Sequence, residues 1–517
     1  MRLFYNGRFI SCEETNRFFS VLAEKDGEII FTGDKAPEKF RIFEQIDLEG
    51  KCVVPAFGDT HMHFESFAYF NAGLDVRGAA DFNELGGMIH DYIGKNLKEK
   101  TILAFGCSAH TVKEQRLPTK DDLDKITNHP IMIVKYDGHA SVANSAMIKK
   151  LPEQVLKEQG FESVTGWFFL EAFYKAVNHI SKAISPSKLL KNLVSGSDAL
   201  AAKGIGLVHT AEGVGFPLDL DVDLMRFTGR GLPIDFRVYF QTMSLKKVLK
   251  RKLTRVGGCF ENALDGCFGS EDAALRDPYT NNQNNKGVLF YSQEDVDRFV
   301  IEANREHLQV ALHAIGDAAV DQALTAFEAA LDDYPRSDHR HIIIHGDLMD
   351  EGAIEKAAAL GIHIAVQTPF LFWDQEPESY LESILGERMN RLIPVKSMLE
   401  KGVAVAGGSD APTTIPDPLF GIHCACNHPN PDERIGVEDA LKMHTSWCAR
   451  FSFDENERGT LSEGKTADFV ILSDDIMSVP VETIKEISVE DFYMCGQKYE
   501  GGSKSILKLL FKSITKQ

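Results

Sequence analysis

Short apolar runs and longer amphipathic stretches alternate through most of this chain. An apolar run of a few residues that ends in polar ones reads as a strand buried in a parallel sheet. Eight such candidates stand in order: Cys52–Asp59, Gly204–His209, Ile234–Phe240, Gly257–Ala263, Leu308–His313, His341–His345, Ile362–Val366 and Val403–Gly408. Stretches with helical spacing, such as SQEDVDRFVIEANREH and DEGAIEKAAALG, lie between most of them. Eight strand–helix units predict an α/β fold that closes as a (β/α)8 TIM-like barrel, with a doubly wound open sheet as the alternative.

The two ends have a different texture. Residues 1–51 read as short strands separated by Asn6-Gly7, Asp26-Gly27 and Gly33-Asp34, and residues 456–502 return to that pattern in GTLSEGKTADFVILSDD and EISVEDFYMCGQKYEGG. The two segments are expected to pair into one small β-sandwich domain, with the barrel, residues 52–455, inserted in it. A segment of about 66–202 separates the first two barrel strands. A large insert after strand 1 emerges on the C-terminal face, where barrel active sites lie, so it should cover the site. In the tail, 503–517, Lys504, Lys508, Lys512 and Lys516 fall four apart, opposite Ile506, Leu507, Leu510, Phe511 and Ile514. That is a basic amphipathic helix, expected to dock on its own chain or on a neighbouring subunit of a homo-oligomer rather than on a membrane surface.

Charge and composition remove several function classes. The 517 residues carry 56 Lys and Arg against 76 Asp and Glu, a net charge of −20, which argues against a nucleic-acid partner. No apolar run is long enough to span a bilayer, and the start, MRLFYNGRFISCEE, does not read as a signal peptide. The expected compartment is the cytoplasm and the expected partner a small-molecule substrate. Nine cysteines are too sparse for a disulfide framework, so Cys424 and Cys426 read as reduced core or loop residues.

Candidate chemistry sits at the strand ends. His61 and His63, in FGDTHMH, are two apart and can present two imidazoles to one point. His313, His345 and Asp410 each follow an apolar run: QVALH, HIIIH and VAVAGGS. Singly, these would be core histidines and a helix N-cap. Jointly, they repeat one layout on strands one, five, six and eight of one barrel, whose mouth would gather them. Aromatics cluster at 167–169 and at Phe370, Phe372 and Trp373; the second cluster follows the seventh strand and suits walls for an apolar substrate group, while ordinary packing of the insert on the barrel is the alternative reading of both. Glu171 is a candidate for a polar or cationic part of the substrate.

These blocks resemble the amidohydrolase superfamily of metal-dependent hydrolases, in the branch that contains N-substituted formamide deformylases. The resemblance runs through VVPAFGDTHMHFES, DGHASVANSAM, LDGCFGSEDAAL, HAIGDAAVDQAL, RHIIIHGDLM, GGSDAPTTIPDPLFGI and GTLSEGKTADFVIL. It implies that His61 and His63 bind one metal, His313 and His345 a second, and that Asp410 is both a ligand of the first and the catalytic base. The family often has a carboxylated Lys bridging two metals four residues before an Asp-Gly. Counting back from Asp265-Gly266, that position is Glu261, whose carboxylate could bridge directly; Lys135 lies in the insert and is the weaker candidate. The same resemblance brings His139, in DGH, near the site to orient or polarise the substrate carbonyl. Asn144 and Ser145 would shape that loop, Asp317 would hold the loop after His313, His209 would stand behind the ligands, and His341 would be structural.

The implied cofactor is a divalent metal, two Zn ions with Mn or Fe as alternatives, holding a bridging hydroxide that attacks a non-peptide C–N bond in an amide, N-formyl group or cyclic amide. Two rivals remain open. One is a single-metal deaminase of an amidine or nucleobase-like ring. The other is a non-catalytic relative acting as a binding protein, which the retained ligands disfavour.

Overall fold

The computed structural model describes residues 1–182, 184–214, 217–501 and 505–515. Eight strands form one sheet: β1 Phe57–Met62, β2 Ile205–Glu212, β3 Asp235–Phe240, β4 Arg255–Ala263, β5 Gln309–Ala314, β6 Ile342–His345, β7 His363–Val366 and β8 Ala404–Gly407. They lie in chain order around the sheet, and neighbouring strands pair in parallel. The ring closes between β8 and β1, where the Asp410 N–H donates to the His61 carbonyl at 2.8 Å and the Thr60 hydroxyl to the Ala406 carbonyl at 3.4 Å. The sheet is therefore the expected TIM-like barrel rather than an open doubly wound sheet.

Strand alternation builds two layers of core. On β5, Val310, Leu312 and Ala314 pack outward against helices, while Ala311 packs inward with Ile342, Ile344, Ala365 and Ala406. That inner layer fills the barrel below the mouth, so the polar strand ends above it line a pocket with a packed floor.

The expected first strand, Cys52–Asp59, divides in two. Cys52–Pro55 pairs with Phe469–Leu472 in a terminal sheet, and only from Phe57 does the chain enter the barrel. Pro55 has no N–H for a further ladder bond, and the Ala56 N–H goes to the Asp468 carbonyl, so the chain changes sheets there. Strands of the N-terminal end form a four-stranded sheet, and strands from both ends join in a six-stranded one. These enclose Phe4, Phe9, Phe19, Leu22, Val53, Phe469, Ile471 and Tyr493.

Between β1 and β2 the insert forms its own six-stranded sheet, from Leu74–Asp75 to Trp167–Phe169, with an apolar core on each face. Trp167 and Phe168 are buried in those cores. The tail forms a helix, Ile506–Thr515; Lys504 and Lys516 lie outside the described residues.

Candidate metal centre and active-site cavity

The C-terminal end of β1 carries His61 and His63 on one side of an extended chain, with both rings buried. The buried Asp59 carboxylate fixes this end, accepting the N–H groups of His61 and Ser409 at 3.1 Å each and so tying β1 to the chain after β8. Burial lifts the Asp59 carboxyl to about 6. The His63 Nδ1 faces the Ala211 carbonyl at 3.3 Å, which leaves Nε2 for the centre. Across the mouth, His313 ends β5 with Nε2 at the Gly266 carbonyl, 3.2 Å away, and a buried Nδ1 without a partner.

His345 reaches the centre by a backbone turn. Alternation places Ile342 and Ile344 inside the barrel and Ile343 outside, so the next residue in phase with Ile343 should face the helices. His345 has φ 73°, a left-handed conformation that swings its ring into the mouth, and Asp410 has φ 55°.

Two groups of potential ligand atoms result, each within 4.8 Å of one another: His61, His63, Cys259 and Asp410, and Cys259, His313 and His345. The Asp410 Oδ1 lies 3.1 Å from His61 Nε2 and 3.4 Å from His63 Nε2. It nevertheless has no aligned hydrogen-bond donor. The Cys259 Sγ lies 3.3 Å from His61 Nε2. Buried polar atoms left without a partner, here Asp410 Oδ1, His313 Nδ1 and His345 Nδ1, are costly unless a cation lies among them. Imidazole, thiolate and carboxylate together form a donor set suited to Zn and similar divalent ions, so the residues fit metal.

The electrostatics agree. Burial lowers the His61 imidazole, takes His313 to about 3 and holds His345 well below its usual range, so these rings are neutral. Burial works to raise the Asp410 carboxyl, but the adjoining His61 and His63 rings more than offset it and hold it well below the usual range. Burial, then the Asp410 charge, pushes the Cys259 thiol well above its ordinary value; only a bound cation would make it a thiolate.

Glu261 is not brought to this cluster. Its exposed side chain accepts the Met243 N–H at 3.2 Å. Gly258 pairs with Leu312 and Ala263 with His313, so Cys259, Phe260, Glu261 and Asn262 bulge out of the ladder. Gly257 and Gly258 open the bulge at φ 121° and 130°; a Cβ on Gly257 would sit 1.8 Å from the Ala311 oxygen. Counting back from Asp265 across that bulge lands on a residue turned to solvent, whereas Cys259 faces inward. Asp265 itself braces the backbone: its carboxylate accepts the N–H groups of Ala274, Ile315 and Gly316, which holds the loop after His313. Asp317 accepts the Arg276 N–H at 2.9 Å.

The centre opens into a cavity walled by Tyr69, Phe70, Phe105, Phe173, Phe370 and Trp373. Phe370 stacks on His345, with centroids 5.8 Å apart, and on Trp373 at 5.1 Å. His139 lines the cavity beyond the Phe260 ring, which it meets at 6.4 Å while His63 meets the same ring at 5.3 Å. Glu171 is not there: it is exposed on a surface helix, 4.0 Å from Lys175. Acids that the sequence did not single out do line the cavity: Glu65, Asp137, Asp347 and Glu376. Asp137 is paired with Lys135 at 2.6 Å, Glu376 accepts the Tyr136 hydroxyl at 3.2 Å, and Asp347 keeps a buried oxygen without a partner. No Lys or Arg lines this cavity among the described residues.

His209 is fully buried with neither ring nitrogen bonded, and His341 is a strut, taking the Val310 N–H on Nδ1. Asn144 braces its loop by accepting the N–H groups of Ile131 and Met147, and the Ser145 hydroxyl donates to Asp124. Cys424 and Cys426 are buried, unbridged thiols.

Comparison with known proteins places this geometry. Residues 44–497 match the model of a family described as the amidohydrolase family. The Bacillus subtilis protein YtcJ is 26% identical, covering 96% of this chain and 99% of its own. The N-substituted formamide deformylase of Arthrobacter pascens is 24% identical over 88% of this chain and 89% of that protein. The crystal structure of an uncharacterized metal-dependent hydrolase from Pyrococcus furiosus superposes with a TM-score of 0.74 at 25% identity, covering 92% of this chain and 100% of that one.

Proposed function

The chain belongs to the amidohydrolase family, and from that premise we propose that it hydrolyses a carbon–nitrogen bond outside a peptide backbone, in an amide, an N-formyl group or a cyclic amide. The observation that carries this reading is the pair of buried ligand groups sharing one thiol at the base of an apolar cavity. His61, His63, Cys259 and Asp410 would hold one divalent ion, and Cys259, His313 and His345 a second. When bound, such ions supply Lewis acidity, polarising a carbonyl and lowering the pKa of a nearby water towards roughly 7.

The remaining steps fall to side chains. Asp410, held ionised beside His61 and His63, takes the proton of the attacking water and returns it to the leaving nitrogen. The water oxygen bonds to the carbonyl carbon, the C–N bond breaks, and an acid and an amine leave. Without that returned proton the nitrogen would depart as an amide anion, a very poor leaving group. His139 borders the cavity on the far side of Phe260 and orients the carbonyl. Phe370 and Trp373 pack on the apolar part of the substrate. Because acids but no Lys or Arg line the cavity among the described residues, a substrate carboxylate would find no cationic side chain to meet it. The favoured substrates are therefore uncharged amides.

A screen of metal-loaded protein against matched N-formyl and N-acyl amines, carbamates, cyclic amides and N-acyl amino acids tests this. Turnover of uncharged amides, with little for their carboxylate-bearing counterparts, is expected. Metal-loaded protein that deaminates a ring but cleaves no amide would overturn the reading.

A further inference from the structure

The tail helix Ile506–Thr515 is fastened to the barrel by a narrow strip. Only Leu509 and Ser513 are buried among its described residues. They seat over Gly231, where an added Cβ would come within 2.6 Å of the Leu509 oxygen and 2.4 Å of the Ser513 hydroxyl. The helix also packs against Leu220–Thr228. The docked strip is only one margin of the apolar face. Leu507, Phe511 and Ile514 are 80%, 67% and 67% exposed, and their spacing aligns them as one ridge. Phe227, on the adjoining helix, is 40% exposed. An uncovered apolar ridge on a soluble surface calls for an occupant.

Charge indicates which one. Lys508 is exposed along one flank of the ridge. Arg230, beside the docking strip, is exposed too, as are Lys250 and Lys252, which stand beside Asp223 and Arg226 of the adjoining helix. The acids at the start of the adjoining helix are committed: Asp219 pairs with Lys247 and Arg251, Asp223 with Arg226 and Arg251, and Asp221 is buried. A chain with a net charge of −20 thus presents a basic face around an apolar ridge.

We propose that this face docks on an anionic lipid bilayer. The helix lies along the interface, with Leu507, Phe511 and Ile514 at the acyl boundary and the lysines among the headgroups. A second copy of the chain fits less well, since a two-fold contact would set these lysines against themselves. Among the described residues no helix is long and apolar enough to cross a membrane, so the attachment is peripheral.

Flotation of the full, metal-loaded chain with vesicles tests this. Protein should rise with vesicles containing phosphatidylglycerol and stay behind with pure phosphatidylcholine. Each lysine near an anionic surface is worth a factor of about five, so Lys508→Gln with Lys250→Gln should weaken binding about 25-fold. Phe511→Gln with Ile514→Gln should abolish it. All four positions are exposed, so unfolding temperature and amide turnover should be unchanged. Equal flotation with both vesicles, none with either, or binding insensitive to both double variants would overturn the proposal. So would a wild-type dimer that the ridge variants convert to monomer.

Discussion

Removing the sulfur of Cys259 strikes both ligand groups at once, because this thiol is the side chain common to them. In metal-free protein the thiol is buried and protonated, so Cys259→Ala deletes one small group and should cost only about 1 kcal/mol. In metal-loaded protein each ion loses a direct ligand, a heavier loss than the 10–100-fold typical of an outer partner. A hundredfold weaker site forfeits about 2.7 kcal/mol of metal-linked stabilisation for each ion. The gap in unfolding free energy between loaded and metal-free protein should therefore shrink by at least about 5 kcal/mol. Glu261→Gln, at an exposed position, should change that gap by less than about 0.5 kcal/mol. Denaturant unfolding with and without Zn measures the gap, and elemental analysis after dialysis counts the ions. If Cys259→Ala kept its ions and its stabilisation while Glu261→Gln lost one, the reading of the β4 bulge would be wrong.

Asp410→Asn should lower kcat by about 10²–10⁴ while most metal stays bound; near-normal turnover would remove Asp410 from the role of base. Trp373→Ala should raise KM for amides with a large apolar group by about tenfold, and leave KM for the smallest amides nearly unchanged. Burial works to raise the Asp137 carboxyl, but Lys135 and then His139 more than offset it and hold it at about 2. Its folded-state pKa thus lies below its unfolded value, so its contribution of about 2 kcal/mol is fully present above about pH 4 and is lost as pH falls towards 2. Lys135→Met should erase that acid limb and destabilise the neutral protein by about 3–5 kcal/mol, because Asp137 is left buried without a partner. An unaltered pH–stability curve for that variant would show that the pair does not couple folding to pH.

The barrel could be read from the chain because its strands are uninterrupted apolar runs that end in polar residues, a pattern set by burial on both faces. The residues that meet at the mouth sit at those ends, which made His61, His63, His313, His345 and Asp410 visible. What stayed hidden depends on local departures from regular geometry. A four-residue bulge in β4 turns Glu261 outward and Cys259 inward, and no period-two count can see it. Pro55 and Ala56 mark a change of sheet inside one apolar run. Asp347 and Glu376 reach the cavity from loops, where spacing carries no directional signal. The tail's apolar face was legible, but not that only its margin, at Leu509 and Ser513, would be docked.

X-ray absorption at the zinc edge of zinc-loaded protein tests the central claim most directly. A thiol shared by the two ligand groups predicts a sulfur neighbour at about 2.3 Å beside nitrogen and oxygen neighbours at about 2.0–2.2 Å, with the sulfur shell gone in Cys259→Ala. A spectrum of nitrogen and oxygen alone in the wild type, or a sulfur shell that survives the substitution, would contradict it.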